Sequence, residues 1–100
     1  MKVTIHAAVE RIDRIVYIAK NVGWGEGIVV EVRREEKGTR ECLTDSGVLI
    51  VKNMNEDIFI TAYVPSYEKT ISLYKMAGKR MPSYIAAKVK KNQKYAKDFR

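Results

Sequence analysis

Apolar side chains recur at helical spacing through residues 3 to 22, VTIHAAVERIDRIVYIAKNV. At about 100° per residue, Ile5, Val9, Ile12, Ile15, Val16 and Ala19 fall within one half-circle, and His6, Glu10, Asp13, Arg14 and Tyr17 lie opposite. This spacing predicts an amphipathic helix with Thr4 as its N-cap and Arg11 at the border of the apolar stripe, flanked by Ile18 and Val22. The segment Gly23-Trp24-Gly25-Glu26-Gly27 ends the helix, since glycine readily adopts the tight or left-handed geometry that turns a helix into a strand.

Four runs rich in β-branched residues follow: Ile28 to Arg34, Thr39 to Thr44, Val48 to Lys52 and Ile58 to Val64. They are separated by Lys37-Gly38, Asp45-Ser46-Gly47 and Asn53 to Asp57, connectors short enough to require an antiparallel meander. Strict alternation in the last run places Ile58, Ile60, Ala62 and Val64 on one face and Phe59, Thr61 and Tyr63 on the other. One helix covers one face of such a sheet. The second face is left to the C-terminal helices or to a ligand.

Pro65 closes the sheet, because it cannot donate to a central ladder, and Ser66 is placed to cap a helix from about Tyr67 to Met76. Ile71, Tyr74 and Tyr67 supply its apolar side, and Gly78 stops it. Met81-Pro82-Ser83 starts a last helix, from about Pro82 to Tyr95, with a narrow apolar stripe of Ile85, Ala86 and Val89. The expected architecture is α+β: an N-terminal helix packed on a four-stranded antiparallel sheet, followed by two C-terminal helices, in a single domain spanning residues 1–100.

Length and composition agree with that picture, since 100 residues with 46% apolar side chains can bury one modest core. No apolar run is long enough to cross a bilayer, and the first residues lack the basic and then apolar blocks of a secretory signal, so no membrane partner and a cytoplasmic location are expected. The single cysteine, Cys42, has no partner for a disulfide and reads as a small hydrophobe in a strand.

Charge changes the picture more. Residues 1–65 carry nine Lys or Arg against ten Asp or Glu, a net −1. Residues 66–100 carry ten cations against Glu68 and Asp98, a net +8. The whole excess therefore sits in the last third, on Lys69, Lys75, Lys79, Arg80, Lys88, Lys90, Lys91 and Lys94 among others. Clustered cations gain affinity for a phosphate backbone by releasing its condensed counterions, so these residues are the expected nucleic-acid contacts and RNA the expected partner. A solvated lysine face that only maintains solubility is the alternative.

No Gly-rich phosphate loop precedes a helix, and one histidine with one cysteine cannot build a zinc site. Neither a metal nor another cofactor is expected. The residues suited to chemistry without metal are His6, Arg11, Arg14, Thr61, Tyr63 and Lys69. Cleavage of RNA through its own 2′-hydroxyl needs a base, cations for the charge growing on phosphate and an acid for the leaving oxygen, which these side-chain types supply. Each also has an ordinary structural role: His6 on a first helical turn, Arg14 beside Glu10, Tyr63 packed on a strand, Arg11 reaching past the apolar stripe to water.

The run His6-Ala7-Ala8-Val9-Glu10-Arg11-Ile12-Asp13-Arg14, the Gly-rich bend, and the strand Ile58-Phe59-Ile60-Thr61-Ala62-Tyr63 together resemble the HAxxRxxxR-like helix and I-T-x-Y strand of small barnase/colicin/RelE-like proteins. The second arginine follows the first by three residues rather than four, and there is no second histidine. The resemblance implies a metal-independent endoribonuclease of toxin type, encoded by a phage or mobile element, with His6, Arg11, Thr61 and Tyr63 as catalytic residues. Three functions follow as expectations: an RNase-like enzyme; a non-catalytic module gripping RNA or DNA with the basic helices and Tyr67, Tyr74, Tyr84 and Tyr95; or a phage accessory protein whose basic face binds an acidic protein partner such as an antitoxin.

Overall fold

The computed structural model describes residues 2–3 and 12–96. Strand β1 (Lys2–Val3) is followed by helix α1 (Ile12–Asn21), strands β2 (Ile28–Arg34), β3 (Thr39–Thr44), β4 (Leu49–Asn53) and β5 (Ile58–Tyr63), and helices α2 (Tyr67–Met76) and α3 (Ser83–Asn92). Short 3-10 turns occupy Glu35–Lys37 and Gln93–Tyr95. The sheet order is β1-β5-β4-β3-β2. The meander β2 to β5 is antiparallel throughout, as its short connectors require, and the two-residue β1 adds a parallel strand at the edge beside Ile58 and Phe59. Val3 thus belongs to a strand rather than to the helix expected there, while Thr4, Ile5 and Val9 lie outside the described residues.

The core lies on both faces of the sheet. On one face, α1 sets Ile15, Ile18 and Val22 against Val48, Ile50, Phe59 and Ala62, with Trp24 packed alongside. The inward line of α1 is therefore Ile15, Ile18 and Val22; Ile12, Val16 and Ala19, which the apolar half-circle placed inward, are exposed. The line pressed against the twisted sheet thus runs along the border of the expected half-circle, where Ile18 and Val22 lie, rather than through its centre. On the opposite face α2 and α3 bring Leu73, Tyr74, Ile85 and Val89 onto Val30, Val32, Leu43 and Leu49. Burying each aliphatic side chain of this set contributes roughly 1.5–3 kcal/mol. The C-terminal helices occupy the second face over this half of the sheet.

The alternation expected along β5 is broken by a bulge. Val51 pairs with Thr61 but Lys52 with Phe59, so Ile60 is the extra residue. Phe59 and Ala62 consequently share the α1 face, and Thr61 and Tyr63 share the other.

Local chemistry explains where the last two helices begin and end. The Ser66 hydroxyl accepts from the Lys69 amide at 3.0 Å, capping α2. At its far end Lys79 N–H donates to the Tyr74 carbonyl and Gly78 N–H to the Lys75 carbonyl, with Gly78 at φ +66°, a left-handed position that glycine adopts without strain. Helix α3 begins one residue after Pro82 and closes in the Gln93–Tyr95 turn, so the helix expected from Pro82 to Tyr95 is present with its final turn tightened.

Candidate nucleic-acid interface

Register carries side chains from four strands into rows on the α2–α3 face. Val32, Glu41, Val51 and Thr61 form one row, and Val30, Leu43, Leu49 and Tyr63 the next. The second row is apolar but for Tyr63 and lies under the helices. The first row is polar at Glu41 and Thr61, and charged groups from the end of β2 and from the helices reach them.

Glu41 is 7% exposed and accepts from two cations. Arg34 Nη1 lies 2.9 Å from its Oε1, and Lys69 Nζ, reaching back from the first turn of α2, lies 3.0 Å from Oε2 and 3.2 Å from Oε1. The Arg34 Nε also donates to Glu36 at 2.9 Å, which holds the Glu36 carboxyl below the usual carboxylate range. Across the row, Arg14 of α1 donates from Nη1 to the Thr61 hydroxyl at 3.0 Å. An arginine based on the other side of the sheet reaches this face because β1 pairs only with Ile58 and Phe59, so the Thr61 half of β5 is an edge among the described residues. Tyr63 is half-buried beside this group, and burial, followed by the Glu41 charge, pushes its phenol up. It is therefore a proton donor rather than a base at neutral pH.

Of the six residues suited to metal-free chemistry, Arg14, Thr61, Tyr63 and Lys69 share this neighbourhood, and His6 and Arg11 lie outside the described residues. Glu41 and Arg34 complete the cluster, and the sequence reading did not single them out. Their signal was available in the alternation of β3, where Glu41 shares a face with core-bound Leu43 and so needs a cationic partner. Around Glu41 stand two cations, Arg34 and Lys69, and the Tyr63 phenol, with Arg14 on Thr61 two strands farther along the row, a set of side-chain types able to activate a hydroxyl and stabilise a phosphate. Yet both oxygens of Glu41 are already engaged, so Lys69 is an ion-pair partner within the fold rather than a free phosphate contact. No group of three or more His, Cys, Asp or Glu able to hold a metal ion occurs among the described residues.

The basic helices have a different electrostatic character. Three of the sheet's four described cations outside β1 are matched locally, Arg34 by Glu36 and Glu41, Arg40 by Glu31 at 3.5 Å and Lys52 by Asp57 at 2.9 Å, while Arg33 is exposed. By contrast Lys75, Lys79, Arg80, Lys88, Lys90, Lys91 and Lys94 are all exposed, and among the described residues none is in an ion pair. Helix α3 turns Ile85, Val89 and Asn92 inward, which forces its lysines outward on both flanks. Lys90 stands over the Tyr67 ring at 4.9 Å and Lys94 over Tyr95 at 5.1 Å, each cation resting on an aromatic face. Of the tyrosines expected to grip a nucleic acid, Tyr84 is exposed, Tyr67 and Tyr95 are partly covered, and Tyr74 is a core residue at 4% exposure.

No helix among the described residues is long and apolar enough to cross a membrane. Comparison with protein-family models, curated proteins and solved structures finds no match to this chain, so any functional reading rests on the geometry above.

Proposed function

We propose that this protein binds RNA through the phosphate backbone, using the outward lysines of α3 together with Lys75, Lys79 and Arg80. One observation carries the reading: seven exposed cations on contiguous C-terminal elements have no carboxylate partner among the described residues, whereas Arg34, Arg40, Lys52 and Lys69 are paired. A lysine surface serving solubility alone works best with both signs of charge interspersed, and from Lys69 to Lys94 there is no acidic residue at all. Replacing Lys88, Lys90, Lys91 and Lys94 with Gln is expected to weaken RNA binding and to reduce the slope of log K against log salt by about 3, from four lost contacts at about 0.7 each. A slope unchanged in this variant would overturn the reading. An acidic protein as the true partner would leave wild-type RNA affinity negligible while a polyacidic peptide still bound.

The cluster around Glu41 favours a second reading, a metal-independent endoribonuclease of toxin type. In it Glu41 takes the 2′-hydroxyl proton once a substrate phosphate draws Arg34 or Lys69 away, the 2′-oxygen bonds to phosphorus as the bond to the 5′-oxygen breaks, and Tyr63 gives its proton to that leaving oxygen. Cleavage would survive EDTA, leave 2′,3′-cyclic phosphate ends and fall about tenfold to ten-thousandfold in Tyr63→Phe. An RNA left intact by the wild-type protein under conditions where it is fully bound eliminates this reading and leaves binding in place. The closed state of Glu41, paired on both oxygens, is why binding is placed first.

A further inference from the structure

Helix α3 passes the C-terminal end of α1 and the turn between β3 and β4, and the three enclose a groove of about 280 Å3. One wall is Lys88, Lys91 and Asn92 of α3 with Tyr95 of the 3-10 turn that follows, one stripe at helical spacing. Asn21 and Val22 form the α1 wall and Ser46 the floor.

The floor is built rigidly. The Ser46 hydroxyl donates to the Gly23 carbonyl at 2.7 Å, tying the turn to the end of α1, and Asn92 Nδ2 donates to the Ser46 carbonyl at 2.8 Å, tying the same residue to α3. Gly47 sits at φ +87°, where an added Cβ would stand 2.9 Å from Asn92 Nδ2, so the turn is glycine-dependent at this point. Asn21 Nδ2 is likewise held, by the Tyr17 carbonyl at 2.9 Å. Tyr95 meets Tyr17 edge-on at 6.5 Å, which fixes the mouth.

These bonds use one N–H of each carboxamide and leave the oxygens of Asn21 and Asn92 as acceptors. The ammonium groups of Lys88 and Lys91 enter no ion pair or hydrogen bond among the described residues. The groove thus pairs two cations with two hydroxyl-accepting amides in a space just below the roughly 300–1,000 Å3 of drug-sized ligand sites. We propose that it is a nucleotide subsite: Lys88 and Lys91 hold one phosphoryl group of an RNA strand, and the Asn21 and Asn92 oxygens accept from the ribose attached to it. This rests on the RNA-binding reading and locates where one nucleotide is held within an otherwise diffuse basic surface. A sugar with a 2′-hydroxyl offers one donor more than deoxyribose, so the subsite distinguishes RNA from DNA.

Uridine 5′-monophosphate, its deoxy counterpart and a single-stranded oligouridylate are the probes, titrated into the full chain and followed by amide chemical shifts and by calorimetry. Uridine monophosphate is expected to shift the amides of Ser46, Lys88, Lys91 and Asn92, and the deoxy compound to bind several-fold more weakly. Lys88→Gln with Lys91→Gln should weaken the mononucleotide about tenfold or more, as charge-assisted bonds to phosphate are lost. Lys75→Gln with Lys79→Gln and Arg80→Gln should lower oligonucleotide affinity and leave the mononucleotide unaffected, with thermal midpoints confirming that every variant is folded. Equal mononucleotide binding by wild type and the Lys88/Lys91 variant, equal binding of the ribose and deoxyribose forms, or no mononucleotide binding overturns the subsite. If oligouridylate binding stays salt-dependent in that event, RNA binding stands without the subsite; if it is absent as well, both fall.

Discussion

Two buried side chains show how local environment sets the behaviour of a single residue. Tyr74 is packed in the core at 4% exposure, and its hydroxyl has no hydrogen-bond partner among the described residues. Burying an unpartnered hydroxyl is unfavourable, so Tyr74→Phe, which keeps the ring and removes the orphan oxygen, is expected to leave stability unchanged or raise it by up to about 1 kcal/mol in urea denaturation. A clear loss would show that the hydroxyl bonds to water in solution. Cys42, fully buried, has its thiol pushed up from 9.0 to about 11, first by burial and then by its hydrogen bond to Glu31 at 3.4 Å. Between those two values the folded chain keeps a proton that the unfolded chain has lost, so this contribution is fully present below pH 9.0 and is lost as pH rises toward 11. Cys42→Ala should therefore flatten the alkaline fall of stability in that window, and the native thiol should resist a disulfide reagent at about pH 8 until denaturant exposes it.

At the scale of elements, the strongest signals were chemical punctuation and period. Strands Ile28–Arg34 and Thr39–Thr44 and helix Tyr67–Met76 fall where β-branched runs, the Ser66 cap and the Gly78 stop place them. What period could not give was orientation. The bulge at Ile60 shifts the β5 alternation by one residue, bringing Phe59 under α1 and leaving Thr61 and Tyr63 together on the other face. A bulge inserts one unpaired residue and changes no composition, so nothing in the run Ile58 to Val64 marks it. Helix α1 shows the same limit: its apolar sector was legible, but Ile18 rather than Val16 is the side chain it buries. The Glu41 cluster depended on register across β2 and β3 and on the α2 approach, which bring Arg34 and Lys69 to one carboxylate from seven residues before it and twenty-eight after.

Over the whole molecule, stability and charge are separated. The apolar contacts sit between the sheet and the helices, and the exposed cations of the last third, in no ion pair among the described residues, lie on the last two helices and the turns beside them. Exchanging Lys88, Lys90, Lys91 and Lys94 for Gln should accordingly shift the thermal midpoint by less than about 4 °C while removing most of the salt-dependent affinity. A large drop in midpoint would mean that Lys90 over Tyr67 and Lys94 over Tyr95 serve the fold as packing contacts.

The sequence alone determined the order of elements, the antiparallel meander and the basic last third, because hydrophobic period, turn residues and charge are local properties of the chain. It also named Thr61, Tyr63 and Lys69 among the residues suited to chemistry without a metal. Only the tertiary structure decided that Lys69 is neutralised by Glu41 while Lys88 and Lys91 line an open groove, because whether a cation meets a carboxylate or solvent depends on the register and approach of elements distant in sequence.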